Sequence, residues 1–160
     1  MSLKIIPADE SHIPFIFSFI QKMAAYEKLS HQLEVSTEQL HFHLIKNKSA
    51  HCILAIEDNI PIGFALYFFN FSTFKGKQGL YLEDIYVEEA HRGKGYGKQL
   101  FLALVKIAKQ HQCGRMEWSV LNWNKPAIDF YKSLGATPMD EWTVYRLTEE
   151  KIIAISDISS

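Results

Sequence analysis

Cysteine is nearly missing from this chain. Its 160 residues hold two, Cys52 and Cys113, too few for a disulfide framework and without the clustered spacing of a Cys-rich zinc site. Reduced thiols in a cytoplasmic protein are the expectation. Proline and glycine are also sparse, at five and eight, which excludes collagen-like and Pro/Gly-rich disordered chains. Neither charge sign dominates, with 17 Lys and Arg against 18 Asp and Glu and a formal net charge of −1. The basic excess of a nucleic-acid binder is absent, so no nucleic-acid partner is expected. Long hydrophobic runs are lacking too. The longest uncharged apolar stretch, Ile60 to Phe74, is broken by Pro61, Gly63 and Asn70 and falls short of the roughly 20 residues a membrane helix needs. Residues Met1 to Pro7 carry no signal-peptide core.

Several catalytic patterns are missing as well. His41 and His43 stand two apart on an expected helix and so point to different sides. With no His-Glu-x-x-His motif, the seven histidines predict no metal. There is no Gly-x-Ser-x-Gly elbow, and Cys113 follows His111 without triad context. Neither motif of an activated nucleophile is therefore seen.

What the chain does contain is 48% hydrophobic and 13% aromatic residues, enough for one globular domain over residues 1–160 with its own core. Apolar patterning predicts strands at Leu3–Ile6, Cys52–Ile56, Ile60–Phe71, Leu80–Val87, Met116–Val120 and Trp142–Leu147. Helical spacing marks Ile13, Ile16, Phe17, Ile20 and Ala24, then a segment opened by a Ser36/Gln39 capping box and running to about Ile45. Two more helices are expected at about Tyr96–His111 and at Lys125–Leu134, the latter closed by Gly135. Consecutive strands before the first βαβ crossover predict an α+β sheet, a mostly antiparallel half joined to a parallel half. The aromatics Phe68, Phe69, Phe71 and Phe74 read as core, a dimer surface or a substrate wall, with core and dimer contacts the preferred reading.

The segment Arg92-Gly93-Lys94-Gly95-Tyr96-Gly97-Lys98 follows a strand and opens a helix. Glycines let a ligand approach the backbone closely, and amides converging at a helix N-terminus attract phosphate. The spacing fails both the dinucleotide fingerprint and the Walker loop. It resembles instead the Arg/Gln-x-x-Gly-x-Gly/Ala signature of the GNAT acetyltransferase superfamily. Further stretches resemble its diamine (spermidine/spermine) and thialysine acetyltransferase branch, namely Ala25-Tyr26-Glu27, Gly63–Tyr67, Tyr81–Asp84, Trp123–Pro126, Phe130–Lys132 and Leu134–Ala136.

The resemblance implies a GNAT fold with a splayed parallel strand pair, and acetyl transfer from acetyl-CoA to a primary amine by direct attack in a ternary complex. It implies that Arg92, Gly93, Lys94, Gly95, Tyr96, Gly97 and Lys98 cradle the CoA pyrophosphate, and that the backbone at Ile85, Tyr86 and Val87 pairs with the pantetheine arm. Further cofactor contacts would come from Glu117, Trp118 and Ser119 and from Asn124, Lys125, Pro126 and Ala127, with Asn124 also a natural helix N-cap. By the same resemblance Tyr131 is the acid that protonates the departing thiolate and Glu83 is the base or a substrate carboxylate. Tyr26, Glu27, Glu83 and Asp84 would bind the amine. On a regular strand Glu83 and Asp84 face opposite ways, so both reach one site only if the strand is bulged. Where polyamine enzymes carry further acidic and aromatic residues this chain has Ser72, Phe74 and Thr143, which favours a smaller amine such as a lysine analogue. A homodimer is implied as well. The alternatives are acetylation of a protein N-terminus or lysine, or a non-catalytic acyl-CoA-binding module.

Overall fold

The computed structural model describes residues 2–158. Its contacts form two compact units, Met1–Ser119 and Val120–Ser160.

The first unit is built on a sheet of order β1-β2-β3-β4-β5, with β1 at Leu3–Pro7, β2 at His51–Glu57, β3 at Ile60–Ser72, β4 at Lys77–Val87 and β5 at Arg115–Glu117. The first three pairings are antiparallel and β4–β5 is parallel, as the strand order predicts. Asp58 and Asn59 both adopt left-handed backbone, with φ of 51° and 65°. That is the turn whose twist matches a two-residue hairpin, and it sets the β2–β3 register.

Helix α1 (Ile13–Tyr26) buries Ile13, Ile16, Phe19, Ile20 and Ala24. Phe19 replaces the expected Phe17, which only packs against the core from its edge. Helix α2 (Thr37–His41) opens with the expected capping box: Gln39 N–H donates to Ser36 Oγ at 3.2 Å and Ser36 N–H to Gln39 Oε1 at 2.8 Å. It continues as a π-helical turn over Phe42–Lys46. These helices share one apolar cluster with Cys52, Leu54, Ile56, Phe64 and Leu66. Strand alternation sends Ile53 and Ala55 the other way, yet both are buried. Cover on that second face comes from α3 (Tyr96–Gln110), which packs against all five strands and buries Leu100, Phe101, Leu104 and Ala108.

The second unit holds α4 (Lys125–Ser133) and α5 (Glu149–Ser156). As expected, α4 is closed by Gly135 at φ 89°, with Gly135 N–H bonded to Lys132 O and Ala136 N–H to Tyr131 O.

Three expectations need correction. The segment Trp142–Leu147 forms no strand: among the described residues it has no ladder partner, and Val144 and Tyr145 are 83% and 92% exposed. Apolar alternation alone does not make a strand without a neighbour to pair with. Strand β5 covers Arg115–Glu117 rather than Met116–Val120, because its parallel ladder ends where β4 bulges. Helix α5 was not expected, although Thr148 caps it and Glu149 and Glu150 suit its first turn.

Candidate active site

The bulge in β4 organises the site. On β3, Leu66 pairs with Asp84 and the next residue, Tyr67, with Leu82. Glu83 is therefore the extra residue, and the alternation that would part it from Asp84 is interrupted there. The parallel ladder to β5 stops just before it, at Tyr81↔Glu117, while β4 runs on to Val87. From Leu82 to Val87 one edge of β4 has no strand partner among the described residues, which leaves the backbone at Ile85, Tyr86 and Val87 without a ladder on that side. Across the end of the ladder, Tyr81 Oη and Ser119 Oγ are 3.0 Å apart, and Trp118 packs edge-on against Phe101. Glu117 pairs with Arg115 at 3.3 Å.

Glu83 is exposed and Asp84 partly buried. Burial, together with the nearby charges of Glu83 and Glu27, raises the Asp84 carboxyl to about 7. Burial likewise raises Glu27 above the usual carboxylate range. Cys52, beneath Asp84, is held as a neutral thiol by burial and by the Asp84 charge. Glu27 caps the C-terminus of α1, where Lys28 takes φ 60°. Lys28 N–H bonds Ala25 O and Leu29 N–H bonds Ala24 O, so the helix ends in a Schellman turn that presents Tyr26 and Glu27. Lys22 fastens the same helix to the end of β4 through Glu88 at 2.6 Å.

The glycine loop continues from β4. Gly93 and Gly95 sit at φ 82° and 80°, and a Cβ at either would meet open space. Gly95 is the N-cap of α3 and offers no side-chain cap. The first helical bond there runs from Gln99 N–H to Gly95 O, so the amides of Tyr96, Gly97 and Lys98 have no intrahelical acceptor. With the helix dipole behind them they form an anion-binding turn suited to a pyrophosphate. The loop cations differ in their placement. Arg92 Nε donates to Val87 O at 2.8 Å, and its guanidinium lies 5.2 Å from the Tyr86 ring centre and 5.7 Å from that of Tyr26. Lys94 lies 3.8 Å from Glu57 Oε1, whereas Lys98 has no ion pair among the described residues.

In the second unit, Asn124 Oδ1 accepts from Ala127 N–H at 3.4 Å and Pro126 lies in the first turn, the expected N-cap arrangement. Lys125 pairs with Asp129 at 2.8 Å. Ala127, Ile128, Tyr131 and Leu134 form the half-buried face of α4, with the Tyr131 ring 5.5 Å from Phe130.

Sequence reasoning missed Glu57, whose carboxylate meets His91, Lys94 and Tyr96; an acidic residue before a tight turn reads as solvated. Ser72, compared with an acidic position of polyamine enzymes, is instead 2% exposed and its hydroxyl accepts from Lys75 N–H. No three His, Cys, Asp or Glu side chains converge as a metal site among the described residues. No described helix is long and apolar enough to cross a membrane.

Comparison with known proteins agrees with this architecture. The Acetyltransferase (GNAT) family profile matches residues 17–136. A thialysine N-epsilon-acetyltransferase of Mus musculus is 35% identical over 161 aligned positions, covering 93% of this chain and 94% of that protein. An L-ornithine N5-acetyltransferase of Arabidopsis thaliana is 42% identical over 104 positions, covering 65% of this chain and 46% of that protein. An integron cassette protein from the mobile metagenome of V. cholerae superposes with a TM-score of 0.80 at 30% identity, covering 98% of both chains. By sequence profile, relatives and fold, the chain belongs to the GNAT family of acetyl-transferring enzymes.

Proposed function

We propose that this enzyme acetylates the primary amine of a small molecule, a short diamine or lysine-like compound, with acetyl-CoA as donor. The carrying observation is the bulge at Glu83, which sets Asp84, with its carboxyl raised to about 7, among the charges of Glu83 and Glu27. Both compact units fall within this reading as one acetyltransferase domain, since the family match runs past Ser119.

Acetyl-CoA supplies a thioester carbonyl open to attack by an uncharged amine. The amides of residues 96–98 suit its pyrophosphate, and the free edge of β4 at Ile85, Tyr86 and Val87 suits its extended arm. A backbone N–H there also steadies charge developing on the carbonyl oxygen. Glu117, Trp118, Ser119, Asn124, Lys125, Pro126 and Ala127 supply further cofactor contacts in this reading. An alkylammonium has a pKa near roughly 10, so it binds as a cation to Tyr26, Glu27 and Glu83 and must then lose a proton. Asp84 is the better acceptor. An ordinary carboxylate lies about 6 units below the amine, and one at about 7 only about 3. A water molecule can relay the proton, and the remaining difference of about 3 units is an uphill step of about 4 kcal/mol within the barrier. The Tyr131 hydroxyl supplies the proton that the leaving sulfur requires.

Thiol release from acetyl-CoA, measured against spermidine, putrescine, lysine, thialysine and a peptide N-terminus, tests the acceptor class. Saturable turnover is expected with a short diamine or a lysine analogue, and slower turnover with spermidine. Tight acetyl-CoA binding with no small-amine turnover would overturn the reading in favour of a macromolecular acceptor or a binding module. Tyr131→Phe is expected to lower kcat by about 10² while leaving the acetyl-CoA Kd within about twofold of wild type. A calorimetric titration beside the rate assay separates the two effects.

A further inference from the structure

Glu57 closes β2, remote in sequence from the glycine loop, and is 5% exposed. Among the described residues its side-chain partners are His91, just before the loop, and Lys94 and Tyr96 within it. His91 Nδ1 lies 2.9 Å from Oε1, Lys94 Nζ lies 3.8 Å from the same oxygen, and the Tyr96 hydroxyl donates to Oε2. The Tyr96 hydroxyl, with Lys94 and His91, also holds the Glu57 carboxyl below the usual carboxylate range. Lys94 and Tyr96 flank Gly95, the left-handed residue that opens α3. Both neighbours of the turn are thus drawn back to one carboxylate, and Tyr96 carries the first of the free amides.

Resting on the assignment of this loop to the pyrophosphate, we propose that Glu57 is a positioning residue: it pins both sides of the Gly95 turn and so holds the amides of residues 96–98 in their anion-binding arrangement before acetyl-CoA arrives. Glycine is the residue with the most backbone freedom to lose, and Gly93 and Gly95 have no side chain to order them. Side-chain anchors must therefore come from other residues: Arg92 is held to Val87 O, before the turn, while His91, Lys94 and Tyr96 are held to Glu57. Glu57 meets the loop through the side chains of His91, Lys94 and Tyr96 and not through its amides. Its effect is the ordering cost that binding would otherwise carry.

The test is calorimetric titration of CoA, with separate KM values for acetyl-CoA and the amine. Glu57→Ala is expected to weaken CoA binding and raise the acetyl-CoA KM by about tenfold, the cost of ordering roughly one residue. The amine KM and the kcat at saturating acetyl-CoA should stay within about twofold. Glu57→Gln keeps an acceptor for the Tyr96 hydroxyl but loses the charge that attracts Lys94 and His91. It should fall between wild type and Glu57→Ala, and it decides the matter if the alanine variant does not fold. Adding Tyr96→Phe to Glu57→Ala should cost less than Tyr96→Phe alone, because their shared contact is already gone. Wild-type CoA affinity in both folded Glu57 variants would overturn the proposal, as would equal rises in both KM values with a falling kcat. Failure of the wild-type protein to bind CoA would instead remove the loop assignment, and the positioning role with it.

Discussion

Asp84→Asn is expected to lower kcat/KM for the amine by 10²–10³ at pH 8 and, in the same protein, to raise the stability of the fold. The first effect follows from removing the proton acceptor while keeping its shape. The second follows from linkage. The Asp84 carboxyl lies at 3.8 in its unperturbed state and at about 7 in the folded protein. The unfolded chain therefore ionises it more readily, and the native state is penalised wherever Asp84 is charged. That penalty is complete above pH 7, shrinks as pH falls through 7, and is gone below about 4. A shift of roughly three units corresponds to at most about 4 kcal/mol, and residual contact with water brings the expected gain for asparagine nearer 2 kcal/mol. Urea unfolding at pH 8 and pH 5 checks this, because the advantage of Asp84→Asn over wild type should narrow at the lower pH.

The wild-type rate profile carries the same signature. The amine kcat/KM should fall about tenfold per pH unit below about 7, as Asp84 takes up the proton it must be free to accept. A bound ammonium favours the charged carboxylate, so the acidic limb of kcat should lie at lower pH than that of kcat/KM. Glu83→Gln removes one of the charges that raise Asp84 and should move the kcat/KM limb downward. If Asp84→Asn keeps wild-type turnover while Glu83→Gln loses it, the proton acceptor is Glu83 and Asp84 serves the cation.

Local signals carried most of the fold. The Ser36/Gln39 box and the Gly135 helix end are each written within a few residues, and both take the expected form. The parallel neighbour of β4 was legible because a strand followed by a helix and another strand returns to the same sheet. The bulge was not, since it exists only in the register between Leu66/Tyr67 and Leu82/Asp84 on two strands. From the chain alone Glu83 and Asp84 are adjacent acids of opposite facing, and which one is enclosed depends on that slip. Glu57 was hidden for a related reason: its partners His91, Lys94 and Tyr96 meet it only after α3 has covered the sheet. Helix α5 escaped because Ile152, Ile153 and Ile155 stay more than half exposed and define no buried stripe. In Trp142–Leu147 the opposite error arose, where alternation suggested burial that the chain does not provide.

Gly95→Val is expected to raise the acetyl-CoA KM by about 30-fold while changing the amine KM little. Gly95 holds φ 80° and ψ 13° with open space where a side chain would stand. The obstacle is therefore backbone strain rather than a clash with the body of the protein. A β-branched residue in the left-handed region costs about 1–3 kcal/mol, and an exposed loop escapes that cost by relaxing to negative φ. Binding must then restore the left-handed turn to point the amides of residues 96–98 at the pyrophosphate. The strain is thus charged to affinity, and about 2 kcal/mol corresponds to roughly 30-fold. Gly93 provides the internal comparison: it has a similar φ of 82° but lies outside the helix start, so Gly93→Val should raise the KM less. Equal effects at the two positions would mean that the whole loop, rather than the opening turn of α3, carries the pyrophosphate contact. No effect at Gly95 would mean that the cofactor does not use these amides.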